Sequence, residues 1–201
     1  MIVTIDTSSA ISVAVTDASA QATLASRSVF APRGHAEQLS DLLGEAMAEA
    51  GVARTDVSAV VVGTGPAPFT GLRVGLVTAR ILALAWKVPL WGVCSLDALG
   101  AQYRDVLVVA DARRREVYWA RYVGGVRCDG PAVAAPADVE AAAGERVVGR
   151  GGVMYPAVFP GAVEVDPDPL WLAREALRRS ALGEDLPTEP LYLRRPDVHG
   201  A

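Results

Sequence analysis

Residues 60–87 read VVVGTGPAPFTGLRVGLVTARILALAWK, and this stretch predicts a strand, a turn and a helix. Three valines end at Gly63, a loop rich in glycine and proline follows, and Thr70 is placed to cap a helix over 70–86. A glycine-rich turn before a helix can bind an anion, because unpaired backbone N–H groups and the helix dipole point at it. Alternatively, the turn has no ligand, and its glycines are needed only because they adopt backbone angles that other residues avoid. The turn alone leaves both interpretations open.

The composition predicts a cytoplasmic protein that lies outside the membrane. The chain has 201 residues, about half of them apolar, which suits one large domain or two small lobes. A formal net charge of −4 argues against independent binding of nucleic acid through a broad basic surface. Cys94 and Cys128 make no disulfide framework, and the N-terminus has no signal-peptide pattern. Lys87 is the only lysine, so lysine-dependent chemistry has a single candidate.

Two stretches about a hundred residues apart share a strand–aspartate–turn–strand pattern. Residues 2–6 end at Asp6 and precede a strand at 11–16 and a third at 22–30, whereas residues 106–111 end at Asp111 and precede an alternating strand. We interpret this as an internal duplication, with chance as the alternative. Asp6 and Asp111 could hold a metal-bound nucleotide across a cleft, or they could be turn-capping acids.

Two helices carry the predicted interface. A helix over 36–50 has an apolar stripe and, opposite it, acids at four-residue spacing: Glu37, Asp41, Glu45 and Glu49. These acids are either a solvated face or a ridge for a basic partner. The helix over 70–86 is apolar nearly all round, so its own sheet and a partner helix should cover it.

Small residues recur every four positions in the second helix, at Gly71, Gly75, Ala79 and Ala83, which predicts a groove for close helix packing. Arg73, Arg80 and the helix's length argue against a membrane span. The predicted partner interface consists of Leu39, Leu43, Met47, Leu72, Gly75, Leu76, Ala79 and Ala83.

The remaining elements complete an α/β pattern. A strand at 90–93 and a helix at 95–103 continue the alternation that predicts parallel strands. A weak helix near 137–143 and a clear helix at 169–182 follow, and the tail at 189–197 is interpreted as docked or partner-facing.

Known catalytic motifs are missing from the sequence. The loop at 63–71 lacks the Gly-Lys-Ser/Thr of a Walker A motif, and Pro68 stands where a dinucleotide fingerprint has its third glycine. His35 and His199 are far apart, which gives no metal-ligand spacing, and no GxSxG is present.

An ordered set of motifs resembles the TsaB (YeaZ) family, a component of the bacterial machinery that makes N6-threonylcarbamoyladenosine in transfer RNA. The motifs are MIVTIDTSSAISVAV, RGHAEQL, VGTGPAPFTGLRVG, CSLDAL, DARRREVYWARY and PLYLR, which span the whole chain. This chain has Ala67-Pro68 where the family usually has Gly-Ser, so its loop backbone is more restricted.

The resemblance implies an α/β fold of the actin/Hsp70/sugar-kinase (ASKHA) type, with two related lobes and a degenerate second lobe. We expect an N-terminal lobe over 1–103, with part of the helix 169–182 packed on it, and a C-terminal lobe over 104–201. TsaB is similar to the catalytic TsaD proteins, which bind a metal through two histidines. Ser95 and Leu99 stand at those positions, which predicts no metal, no cofactor and no catalytic residue.

The function implied is that of a non-catalytic scaffold. It would dimerise with a TsaD-like catalytic subunit and help recruit a TsaE-like ATPase during threonylcarbamoyl transfer to adenosine 37 of transfer RNAs reading ANN codons. Transfer RNA would be contacted only through the complex, and the isolated chain would form a homodimer. The alternatives are a nucleotide-dependent ASKHA-type ATPase or kinase that uses Asp6 and Asp111, and a metallopeptidase.

Overall fold

A computed structural model describes residues 1–30 and 35–194, which form two mixed sheets with five α-helices. The first sheet has the order β3-β2-β1-β4-β5. Its strands are β1 (Ile2–Asp6), β2 (Ile11–Thr16), β3 (Thr23–Val29), β4 (Ala59–Gly63) and β5 (Leu90–Val93). The first three strands pair antiparallel, and β4 joins β1 and β5 in parallel.

The second sheet has the order β8-β7-β6-β9. Its strands are β6 (Val106–Asp111), β7 (Val117–Val123), β8 (Val126–Ala134) and β9 (Val147–Val148). The helices are α1 (His35–Ala50), α2 (Phe69–Trp86), α3 (Ser95–Tyr103), α4 (Arg150–Met154) and α5 (Pro169–Ala181). The α/β class is therefore confirmed.

The predicted repeat is present in both sheets. Asp6 ends β1 opposite Ser12 of β2, and Asp111 ends β6 opposite Val117 of β7. Each hairpin adds a third antiparallel strand, and a later strand joins the first one in parallel. The second copy is reduced, because β9 has two residues where β4 has five. Two related sheets with a degenerate second copy agree with the predicted fold.

Helices cover both faces of the first sheet, because its buried strands have apolar residues pointing each way. Helices α1 and α2 pack on one face, where Leu39, Leu72 and Leu76 meet Val3 and Val62 in the core. On the other face, α5 packs through a separate cluster of apolar residues: Leu172, Ala173, Ala176, Ile2 and Val61. The helix from the end of the chain thus packs on the first sheet, while the lobe boundary after residue 103 stays a prediction.

Two local predictions were wrong. Helix α2 begins at Phe69, with Pro68 as its N-cap and no side-chain cap, so Thr70 lies inside the first turn. The proline fixes the backbone angle at that junction without needing a hydroxyl cap. The weak helix at 137–143 is a single 3₁₀ turn at Pro136–Asp138 followed by a turn that Glu145 closes by accepting from the Ala142 N–H.

The membrane argument from helix length also needs correction. Helix α2 has 18 residues and a mean hydropathy of 1.3, so length and composition alone allow a membrane span. Core helices of other proteins meet the same criterion, and one stripe of α2 packs on the first sheet.

Candidate functional site

Asp6 lies at the end of β1 in a closed network of hydrogen bonds. Its Oδ1 accepts from the Ser8 N–H at 2.9 Å and from the Ser8 hydroxyl at 2.6 Å, and its Oδ2 accepts from the Ser95 hydroxyl at 2.5 Å. Ser95 Oγ in turn accepts from the Gly65 N–H at 3.2 Å. Burial raises the pKa of Asp6, and the hydrogen bonds from Ser8 and Ser95 partly oppose this shift. The carboxylate therefore joins β1, the glycine-rich turn and the start of α3.

Asp111, the second candidate acid, has a different environment. It lines a cleft between the two sheets, and its Oδ1 accepts from the Arg113 N–H at 2.8 Å. The Arg113 guanidinium lies 3.3 Å from Oδ2. Asp6 is 1% exposed and is not among the cleft's lining residues. Asp111 therefore lines the cleft and Asp6 does not, and each acid accepts from the backbone N–H two residues further on, as in the turn-capping alternative.

The cleft has a volume of about 590 Å³ and lies between the β1–β2 turn, the start of α2, the β6–β7 turn and α4. Arg150 binds Asp166 through two hydrogen bonds, at 2.7 and 2.8 Å, and Glu164 at 2.5 Å. Burial alone would raise the pKa of Asp166, but hydrogen bonds from Arg150 and Ser9 outweigh it and lower the pKa. Two acids thus already compensate the Arg150 charge on this wall of the cleft.

Ser95 and Leu99, the two positions at which the family resemblance implied that metal ligands are missing, lie in the core. Ser95 is 0% exposed and donates to Asp6, and Leu99 is 2% exposed within an apolar cluster. Within residues 1–30 and 35–194, no three histidine, cysteine, aspartate or glutamate side chains are grouped to hold a metal ion. The side chains at these two positions therefore serve packing and hydrogen bonding.

The eight residues predicted to form a partner interface face the chain's own sheet instead. Met47 is half-buried. The other seven are buried: Leu39, Leu43, Leu72, Gly75, Leu76, Ala79 and Ala83. A Cβ at Gly75 would overlap Oγ1 of Thr7, so the glycine permits close packing inside the molecule. The location of the interface must be corrected, because the small-residue groove is filled by the first sheet.

The outward face of α2 carries an apolar stripe beside the exposed Arg73 and Arg80. Val77, Ile81 and Leu84 are 53%, 60% and 81% exposed, at positions i, i+4 and i+7 of one stripe. The sequence predicted that a partner covers part of α2, but it assigned the interface to the face with the glycine and alanine repeat. We call Val77, Ile81 and Leu84 the outer face of α2.

The acidic ridge of α1 is exposed but partly neutralised within the chain. Arg27 of β3 forms ion pairs with Glu45 and with Glu49. These exposed pairs contribute little stability, but they reduce the negative charge of the C-terminal half of the ridge. The end of the predicted tail, residues 195–197, and His199 lie outside the described residues.

Comparisons with known proteins identify the family. A family model described as TsaD, tRNA N6-adenosine threonylcarbamoyltransferase, matches residues 28–160. An uncharacterized protein of Mycobacterium tuberculosis is 46% identical over 169 residues, which cover 83% of this chain and 78% of that protein. The tRNA threonylcarbamoyladenosine biosynthesis protein TsaB of Escherichia coli is 37% identical over 97 residues, which cover 45% of this chain and 42% of that protein.

A solved structure supports the same assignment over nearly the full length. The crystal structure of a Pseudomonas aeruginosa protein with similarity to peptidase YeaZ superposes with a TM-score of 0.81 at 30% identity. The match covers 96% of this chain and 99% of that one. Together with the duplicated sheet and the ordered motifs, these matches show that the chain belongs to the TsaB (YeaZ) family, which takes part in the biosynthesis of tRNA threonylcarbamoyladenosine.

Proposed function

We propose that this protein is a non-catalytic subunit that pairs with a TsaD-like enzyme in the cytoplasm. The pair transfers a threonylcarbamoyl group to adenosine 37 of transfer RNAs reading ANN codons, and it recruits a TsaE-like ATPase. Ser95 and Leu99 stand where the resemblance to TsaD implies metal ligands, and their burial in a hydrogen bond and in an apolar cluster supports the non-catalytic role.

The outer face of α2 is the observation that carries the proposal. Three adjacent large apolar side chains on one exposed stripe are typical of a protein–protein contact. The family model that matches this chain is that of the TsaD enzymes, so a TsaD-like partner is expected to carry corresponding helices. Two such helix pairs can pack about an approximate two-fold axis, each covering the apolar stripe of the other. Without that partner, a second copy of this chain would occupy the face and give a homodimer.

The rival function is nucleotide-dependent ATPase or kinase chemistry in the cleft. The cleft's size suits a small ligand, since pockets of several hundred Å³ are typical of ligand sites. The acid that such chemistry would need at the end of β1 is enclosed by Ser8 and Ser95. Titration of the isolated protein with ATP tests this rival, which requires tight binding and turnover.

Replacing Ile81 by arginine should disrupt pairing with a TsaD-like subunit. An unpaired charge would be buried at the centre of the apolar contact, so we expect affinity to fall by at least about 30-fold. Co-purification and analytical size-exclusion chromatography measure the loss. Homodimerisation of the isolated chain should weaken in the same variant, because both partners use the outer face of α2.

Val126→Arg is the matched control, because Val126 is 64% exposed at the β7–β8 turn, away from α2. We expect this variant to pair normally and to unfold at the same temperature as the natural protein. Normal pairing of Ile81→Arg would rule out the outer face of α2 as the interface. Failure of the natural chain to bind any TsaD-like subunit would contradict the proposed function itself.

A further inference from the structure

The turn between β6 and β7 holds three consecutive arginines in an unfavourable backbone conformation. Arg113, Arg114 and Arg115 have φ angles of 60°, 54° and 62°. This region of positive φ disfavours every residue type except glycine. We call these three residues the arginine loop. Glycine would adopt these φ angles without strain, but all three positions are occupied by arginine.

Hydrogen bonds fix the backbone of the arginine loop. The Arg113 N–H donates to Asp111 Oδ1, the Ala112 N–H donates to the Glu116 carbonyl at 3.1 Å, and the Glu116 N–H donates to the Arg113 carbonyl at 3.0 Å. All three arginines are exposed. The loop is therefore a fixed turn that presents its side chains to solvent. A rigid presentation of this kind reduces the entropy lost on binding.

Aromatic side chains lie beside the arginine loop. Phe69 and Tyr192 have ring centroids 4.5 Å apart, and the Arg73 guanidinium lies 5.5 and 5.7 Å from their centroids. Arg73 also donates to the Tyr192 hydroxyl at 2.8 Å. A groove of about 150 Å³ runs from these rings to Arg113 and Arg114. Cationic and aromatic groups thus lie along one surface.

The local charge differs in sign from that of the whole chain. The protein has a formal net charge of −4, yet four arginines lie beside the groove or its rings: Arg73, Arg113, Arg114 and Arg194. Arg115 follows Arg114 in the turn. Asp111 pairs with Arg113, and Glu116 pairs with Arg194. The Arg113 side chain is 66% exposed and the Asp111 side chain is 20% exposed, so the cation of this pair faces solvent more than its acid does.

We propose that the arginine loop and the Phe69–Tyr192 groove form a contact site for RNA. Guanidinium groups bind phosphate oxygens in a planar, two-pronged geometry, and aromatic faces stack on unpaired bases. The site has both features in a small area, which suits a single-stranded loop and not a long duplex. The identification of that RNA as transfer RNA rests on the proposed function. A site of this size supplies a few contacts within a larger complex.

Replacing both Arg113 and Arg115 by glycine tests the site without straining the fold, since glycine accepts positive φ angles. The matched control is Lys87→Gly with Arg104→Gly, which also removes two exposed cations at positive φ, of 59° and 67°. Each protein is titrated against a fluorescently labelled, unmodified transfer RNA transcript. The titrations are done alone and with a TsaD-like subunit, at 50 and 200 mM salt. Pairing is measured separately by size-exclusion chromatography.

We expect the Arg113/Arg115 variant to bind the transcript about tenfold more weakly than the natural protein, with unchanged pairing. Its salt dependence, as the slope of log affinity against log salt, should fall by about 1.5. The Lys87/Arg104 control should retain natural affinity. Equal affinity of the loop variant, an equal loss in the control, or no binding by the natural protein in either form would overturn the proposal. Failure of the natural protein to pair with the TsaD-like subunit would contradict only the proposed function. The affinity of the isolated natural protein and of its variants for the transcript would still test the arginine loop.

Discussion

Gly63→Ala is expected to destabilise the protein by about 4 kcal/mol, which is a large share of the stability of an ordinary domain. Gly63 ends β4 directly beside the buried carboxylate of Asp6. An added Cβ would overlap Asp6 Oδ2 and lie 2.7 Å from Ser95 Oγ. The methyl group must therefore displace a buried carboxylate from its hydrogen bonds or move a central strand. Urea unfolding followed by circular dichroism measures the free energy of unfolding.

Gly44→Ala is the matched control for this substitution. Gly44 lies within α1, and a Cβ there would have no other atom within 4 Å. Alanine is preferred to glycine in helix interiors, so this variant should be more stable by up to about 1 kcal/mol. If both variants had the same urea midpoint of unfolding as the natural protein, the close contact between Gly63 and Asp6 would not be important for stability.

Ser95→Ala should lower the free energy of unfolding by about 3 kcal/mol in the pH range where Asp6 is ionised, and by less in acid. The substitution removes a hydrogen bond to ionised Asp6 and leaves the Gly65 N–H without its acceptor. Burial already raises the pKa of Asp6 above its ordinary value of 3.8, and the Ser95 hydroxyl opposes that rise. Stability from a carboxyl with a raised pKa is fullest below pH 3.8 and is lost as the pH rises through the raised value. Removing Ser95 raises the pKa further, so the loss grows towards neutral pH.

Ser12→Ala provides a control of the same chemistry without the charge. Ser12 is 3% exposed, and its hydroxyl lies 3.0 Å from the Ser28 hydroxyl. We expect the free energy of unfolding to fall by about 1 kcal/mol in acid and at neutral pH alike, since Ser28, the hydrogen-bond partner of Ser12, does not titrate. Unfolding curves between pH 4 and 7 compare the two variants. A Ser95→Ala loss that did not change with pH would show that Asp6 is not the group affected.

The sequence alone determined the local elements and their repetition. Alternating β-branched residues predicted β1 and β2, and the strand–aspartate–turn pattern predicted that the second sheet repeats the first. Helical periodicity located α1, α2, α3 and α5 to within about two residues. These features depend on residues close together in the chain, so short-range patterns are enough to specify them. The fold class and the family followed from the order of such patterns.

Only the tertiary structure decided which face of α2 packs on the sheet. Both faces are apolar, and periodicity does not say which of two apolar stripes is covered. Small residues at Gly75 and Ala79 pack on the sheet, where Thr7 leaves no room for a side chain at Gly75. The larger Ile81 and Leu84 remain outside.

The role of Asp6 was likewise decided by residues distant in sequence. Ser95 comes from the start of α3 and Gly65 from the turn after β4, and only folding brings them to the carboxylate. An aspartate at the end of a strand has the same local sequence pattern whether its carboxylate faces a cleft or a buried hydroxyl. The difference depends on burial and on a partner 89 residues away, which no local pattern contains.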